Sequence, residues 1–168
     1  MTVEQAIKTA IEYENRVRDH YAKAVGRAEH QSAKAFFQLM AEEEQHHVEY
    51  LEHKLTEWGK TGRVTAERLR TALPSPGAIE EGVAKLGGAG GEKASGAEID
   101  FLEKAYTVEA ETSSFYRKMV AELPPEARGL FSRFLEIEEG HLAIVQAQID
   151  QVSGTGYWFD VREFNLEG

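Results

Sequence analysis

Apolar residues recur along this chain at alternating steps of four and three, the spacing of helices that bury one stripe. Val3, Ile7, Ala10, Glu14, Val17, Tyr21 and Ala24 form the first stripe. A second runs Phe36, Leu39, Glu43, His46, Tyr50 and a third Leu102, Ala105, Glu109, Thr112, Tyr116, Met119. The fourth is Phe131, Phe134, Glu138, His141, Val145. Local signals place the ends of these helices. Thr2-x-x-Gln5 is a capping box that opens a helix to about Gly26, and a second helix covers about residues 30–58 and stops at Gly59. Ser95-x-x-Glu98 opens the third, which ends near Leu123. Pro124-Pro125 suits the first turn of the fourth, which runs to about Val152 and ends before Gly154.

Between the second and third helices, Pro74, Pro76 and the run LGGAGGEKASG break any long helix, leaving room for a short helical piece over 79–86. The prediction is an all-α four-helix bundle over residues 1–152, with a crossover over 60–95 and an irregular aromatic tail over 153–168. Two short links make antiparallel hairpins, and the long one lets the second hairpin lie beside the first. In the tail, Tyr157, Trp158, Phe159 and Phe164 are expected to cover a bundle end or a subunit contact.

The polar residues inside the stripes are the informative ones. Glu14, Tyr21, Phe36, Glu43, Glu44 and His46 recur as Glu109, Tyr116, Phe131, Glu138, Glu139 and His141, each 95 positions later. The paired pattern is a Glu, a Tyr seven residues on, and a Glu-x-x-His. Residues three apart on a helix project together, so each Glu-x-x-His presents two donors to the core. An unpaired buried carboxylate costs several kcal/mol, on the order of a whole domain's stability margin when four share one layer. Two divalent cations would balance four carboxylates, giving a dinuclear site of Glu14, Glu43, His46, Glu109, Glu138 and His141. Read alone, EEEQHH is a solvated charged face; Glu138 and His141, set among Phe131, Phe134, Leu135, Ile144 and Val145, argue for the interior. A competing pair, Glu44-x-x-His47, would have Glu139 and Leu142 as its copy, so the repeat selects Glu43 and His46. His20, His30 and His53 have no echo and are expected at the surface or behind the site. Tyr21 and Tyr116 are either core filler with satisfied hydroxyls or donors that orient a ligand carboxylate.

Composition narrows the function. A net charge of −10 argues against nucleic acid or an anionic membrane as the main partner. With no cysteine, thiol catalysis, thiolate zinc and iron–sulfur clusters are excluded within these residues. No run reaches the ~18 apolar residues of a membrane span or reads as a signal peptide, so a cytoplasmic location is expected. The LGGAGG run follows no strand and is not a nucleotide-binding motif; it reads as a flexible crossover that permits a homodimer with exchanged hairpins.

The doubled Glu, then Glu-x-x-His, with a long link between the halves, resembles the ferritin-like di-iron superfamily over roughly residues 3–152. It is most similar to the rubrerythrin-type proteins and the bacterioferritins. That resemblance implies terminal ligands at Glu14 and Glu109, bridging ligands at Glu43 and Glu138, and His46 and His141 completing the two spheres. It implies two iron ions, with manganese the other metal that oxygen and nitrogen ligands suit. The implied activity is reduction of peroxide or dioxygen with oxidation of ferrous iron, and a ferroxidase-type iron store or a manganese enzyme disproportionating peroxide are the alternatives. A bundle without metal, used for interaction, is the remaining one. Two features depart from rubrerythrins: the four-Cys rubredoxin-like site is missing, so an external electron-donor protein is required, and Thr112 stands where they carry an additional Glu. Without that Glu, the exchange of a Glu for a His as the iron changes oxidation state is not implied, and the symmetric ligand set is closer to bacterioferritin.

Overall fold

The computed structural model describes residues 1–85 and 92–159; the glycine-rich run 86–91 and residues 160–168, with Phe164, lie outside the described residues. The helices are α1 (Val3–Arg27), α2 (Gln31–Thr61), α3 (Pro76–Lys85), α4 (Gly96–Glu122) and α5 (Pro125–Thr155). The architecture is all-α, as the apolar spacing predicts. No helix among the described residues is long and apolar enough to cross a membrane.

Both capping boxes form: the Thr2 and Ser95 hydroxyls accept from the backbone N–H three residues on, and Gln5 and Glu98 reach back. Two helix ends fall later than expected. Gly59 and Gly154 stay helical, at about 1 kcal/mol each relative to alanine. The left-handed C-caps are Gly62 (φ 64°) and Gly156 (φ 83°), whose N–H groups donate to Trp58 and Val152 carbonyls.

α1 packs along α2, α4 along α5, and α1 against α4, while α3 lies on α5. Two apolar clusters fill the interior. One gathers Val17, Tyr21, Phe36, Phe37, Met40, Leu102, Ala105, Ile144, Val145 and Trp158. The other gathers Ile7, Ala10, Leu51, Tyr116, Met119, Phe131, Phe134 and Ile137. α1 and α5 meet the second cluster before the first, and α2 and α4 meet them in the reverse order. On every one of these four helices, buried Glu or His occupies the step between the clusters.

Trp158 and Phe159 are buried in the first cluster, so this part of the tail is core. The Trp158 backbone N–H donates to Glu92 O at 3.0 Å, and Gln148 Nε2 donates to Phe159 O at 2.9 Å. Glu98 joins three parts of the chain. It accepts from Ser95 N at 3.0 Å, Glu29 N at 2.8 Å, His30 N at 3.0 Å and Trp158 Nε1 at 3.2 Å. Burial pushes its carboxyl up, but the Ser95, His30 and Glu29 donors outweigh that and bring it to about 2. A carboxyl depressed in the folded state stabilises fully above its unfolded value, and that contribution fades as pH falls from about 4.5 toward 2. Glu98→Ala is therefore expected to cost on the order of 3 kcal/mol at neutral pH, since buried donors lose their acceptor. In urea melts the gap between wild type and Glu98→Ala should narrow as pH falls through that window; a constant gap would count against this account.

Candidate metal centre

Where the two apolar clusters meet, four helices each contribute carboxylates or imidazoles. α1 supplies Glu14, α2 Glu44 and His47, α4 Glu109, and α5 Glu138 and His141; none is more than 1% exposed. Ligand atoms of Glu44, His47, Glu138 and His141 all lie within 4.8 Å of one another. His141 Nδ1 is 2.8 Å from Glu44 Oε1, 3.5 Å from Glu109 Oε2 and 3.6 Å from Glu138 Oε1. His47 Nδ1 is 3.5 Å from Glu44 Oε2 and 4.0 Å from Glu14 Oε2. The two imidazoles stack nearly parallel, centroids 5.4 Å apart at 8°.

The outer oxygens of the two singly placed glutamates are held reciprocally across the bundle. Tyr21 OH on α1 donates to Glu109 Oε1 at 2.8 Å, and Tyr116 OH on α4 donates to Glu14 Oε1 at 2.6 Å. Each hydrogen bond leaves the other oxygen, Oε2, facing inward. Glu14 Oε2, Glu109 Oε2, both oxygens of Glu44 and Glu138, both ring nitrogens of His47 and Nδ1 of His141 are buried without a hydrogen-bond partner. Buried polar atoms are almost always satisfied, so this many in one place form a cluster that could hold a metal ion.

The electrostatics agree. Burial, and then neighbouring carboxylates, push Glu14, Glu44 and Glu138 above the usual carboxylate range. Burial would also raise Glu109, but His141 outweighs it and lowers that carboxyl. Burial lowers His47, whereas at His141 the charges of Glu138, Glu44 and Glu109 outweigh burial and raise the imidazole well above its ordinary value. Without cations the cluster keeps protons to limit its own repulsion. With oxygen and imidazole nitrogen donors only, the set could hold metal ions.

Five of the residues chosen from sequence are buried here: Glu14, Glu43, Glu109, Glu138 and His141. His46 is a correction. It is exposed, one residue out of phase with the seam, and His47 takes the inward place. Glu43 is buried but lies outside the group of close ligand atoms, in which Glu44 is the α2 carboxylate. The cause is the turn between α1 and α2, residues 28–30, which is one residue longer than the α4–α5 turn at 123–124. The repeat is therefore 95 from α1 to α4 but 94 from α2 to α5. At 94, Phe37, Met40, Glu44, His47 and Leu51 align with Phe131, Phe134, Glu138, His141 and Val145, all buried. That buried stripe was the available signal. Glu139 is exposed, with Arg117 3.6 Å away. Thr112 is buried with its hydroxyl donating to Val108 O at 2.8 Å, so it offers the centre no carboxylate. Of the remaining histidines, His20 Nε2 lies 2.9 Å from Phe101 O, His30 Nδ1 lies 3.0 Å from Glu98 Oε1, and His53 is exposed.

Fold and site together define a helical protein with a buried Glu/His cluster able to hold metal. Comparison with known proteins returns no matching family model, no matching curated protein and no matching solved structure.

Proposed function

We propose that the chain is a non-haem di-iron oxidoreductase of the ferritin-like type, reducing peroxide or dioxygen as ferrous iron is oxidised. The observation that carries this reading is the convergence of four carboxylates and two imidazoles from four helices, their inward atoms buried and unpartnered. The order in which the helices meet the two apolar clusters supports the same reading, since it gives α2 and α4 one direction and α1 and α5 the other. A long crossover between hairpins produces that order.

Glu14 and Glu109 would bind one ion each, their free rotation removed by Tyr116 and Tyr21. Glu44 and Glu138 lie beside both imidazoles and would help hold the metal. A pair of ferrous ions bound by these residues would supply the two electrons that, with two protons, reduction of one peroxide to two waters needs. Phe134, stacked on Tyr116 and edge-on to His47, helps keep the cage dry, which strengthens every charge interaction in it.

Protein loaded anaerobically with two ferrous ions per chain and mixed with peroxide should give one stoichiometric burst of oxidation, then halt until a reduced donor protein is added. The 168 residues contain no cysteine with which to relay electrons. Iron uptake well beyond two per chain would instead indicate storage. Sustained peroxide disproportionation without reductant would indicate the manganese enzyme, and continuous turnover with a nicotinamide alone would overturn the need for a donor protein.

A further inference from the structure

We infer that Glu43 is a positioning residue that holds His141 of the centre with Nδ1 turned toward the carboxylates. The inference rests on the metal-centre reading above. Glu43 Oε1 lies behind the stacked imidazoles, 3.3 Å from His141 Nε2 and 3.6 Å from His47 Nε2. The first is a hydrogen-bond distance; the second is too long for one, and His47 Nε2 has no hydrogen-bond partner, so Glu43 fixes the His141 ring and only faces that of His47. Because the rings are parallel, one carboxylate oxygen faces the outer nitrogen of both, while both Nδ1 atoms face the cage.

A neutral imidazole carries its proton on one nitrogen and its lone pair on the other. An acceptor at Nε2 places the proton there and leaves Nδ1 free for metal. Glu43 is itself fixed from the segment between α2 and α3. The Thr71 hydroxyl donates to Oε1, and the Ala72 backbone N–H donates to Oε2 at 3.0 Å. The Leu73 N–H in turn donates to Thr71 Oγ1 at 3.1 Å. Residues 71–73 therefore set the carboxylate, and the carboxylate sets the His141 ring. Glu43 is 4% exposed, so solvent offers the histidines little substitute.

The test is cobalt(II) titration of the apo protein in competition with a chromogenic chelator, with the cobalt visible spectrum recorded. Outer partners of metal-bound histidine typically change affinity by roughly 10–100-fold. Glu43→Ala should weaken cobalt binding at His141 within that range and alter the cobalt bands, with an unchanged circular-dichroism spectrum. Glu43→Gln, which keeps size and one acceptor but not charge, should fall between it and wild type, and decides the matter if the alanine variant does not fold. Thr71→Val should weaken binding by a smaller factor. Wild-type affinity and spectrum in folded Glu43→Gln and Glu43→Ala would overturn the inference. Wild-type protein that takes up no cobalt would instead remove the metal centre itself.

Discussion

Replacing His47 with alanine should remove at least one metal ion per chain, whereas His46→Ala should leave metal content unchanged. The two residues are neighbours in sequence and differ in what they face. His47 is 1% exposed and aims Nδ1 at Glu44 and Glu14, while His46 points to solvent. Loss of one ligand from a buried site should lower affinity on the order of a hundredfold or more, since several ligands share the large binding free energy of such sites. Glu138→Ala and Glu139→Ala form the matching pair on α5. Glu138 is buried with both oxygens unpartnered, and Glu139 faces solvent beside Arg117. Metal analysis after dialysis reads both comparisons. Equal loss in the two members of either pair would break the assignment.

Metal should also dominate stability. Ions that bind only the folded chain add about 4 kcal/mol per site at a thousandfold excess over Kd. For a chain of this size each kcal/mol shifts Tm by roughly 2–4 °C, so loading two sites should raise Tm by more than about 10 °C. The increment should grow with pH. Glu14, Glu44, Glu138 and His141 hold protons more tightly in the folded apo protein than in the unfolded chain. Their contribution is complete below the unfolded values and is lost as pH rises through the folded ones. Glu109 and His47 shift the other way and offset part of the effect. Apo protein should therefore lose stability between mildly acidic and mildly alkaline pH, where metal binding, which displaces those protons, becomes stronger. Thermal melts with and without strong chelator at several pH values check this. A midpoint indifferent to chelator in protein carrying two ions would contradict it.

The helical stripes of α1, α4 and α5 were legible in the sequence because each buries a seam at alternating steps of four and three. Val3 to Ala24, Leu102 to Met119 and Phe131 to Val145 are buried where that spacing puts them. On α2 the long-range repeat misled. It compared residues across two turns of unequal length, and a one-residue error rotates a helix by about 100°. The local stripe Phe37, Met40, Glu44, His47, Leu51 held the right phase. Gly59 and Gly154 look like stops because glycine commonly ends helices, yet among the described glycines it is Gly62 and Gly156 that take the left-handed conformation that does so. The capping role of Glu98 is legible in Ser95-x-x-Glu98, but its other contacts and the place of Glu43 have no sequence signature. Their partners, Trp158 and Glu29 for one and Thr71 and His141 for the other, come together only in the folded chain.

The central claim is that the buried step between the apolar clusters holds two metal ions. Crystals of iron- or manganese-loaded protein, measured at the metal's absorption edge, test it most directly. The expected map has two anomalous peaks per chain, roughly 3.5–4 Å apart as in other two-metal sites, one adjoining His47 Nδ1 and the other His141 Nδ1. A cage without anomalous density, with metal only on exposed residues such as His46 or Glu139, would contradict it.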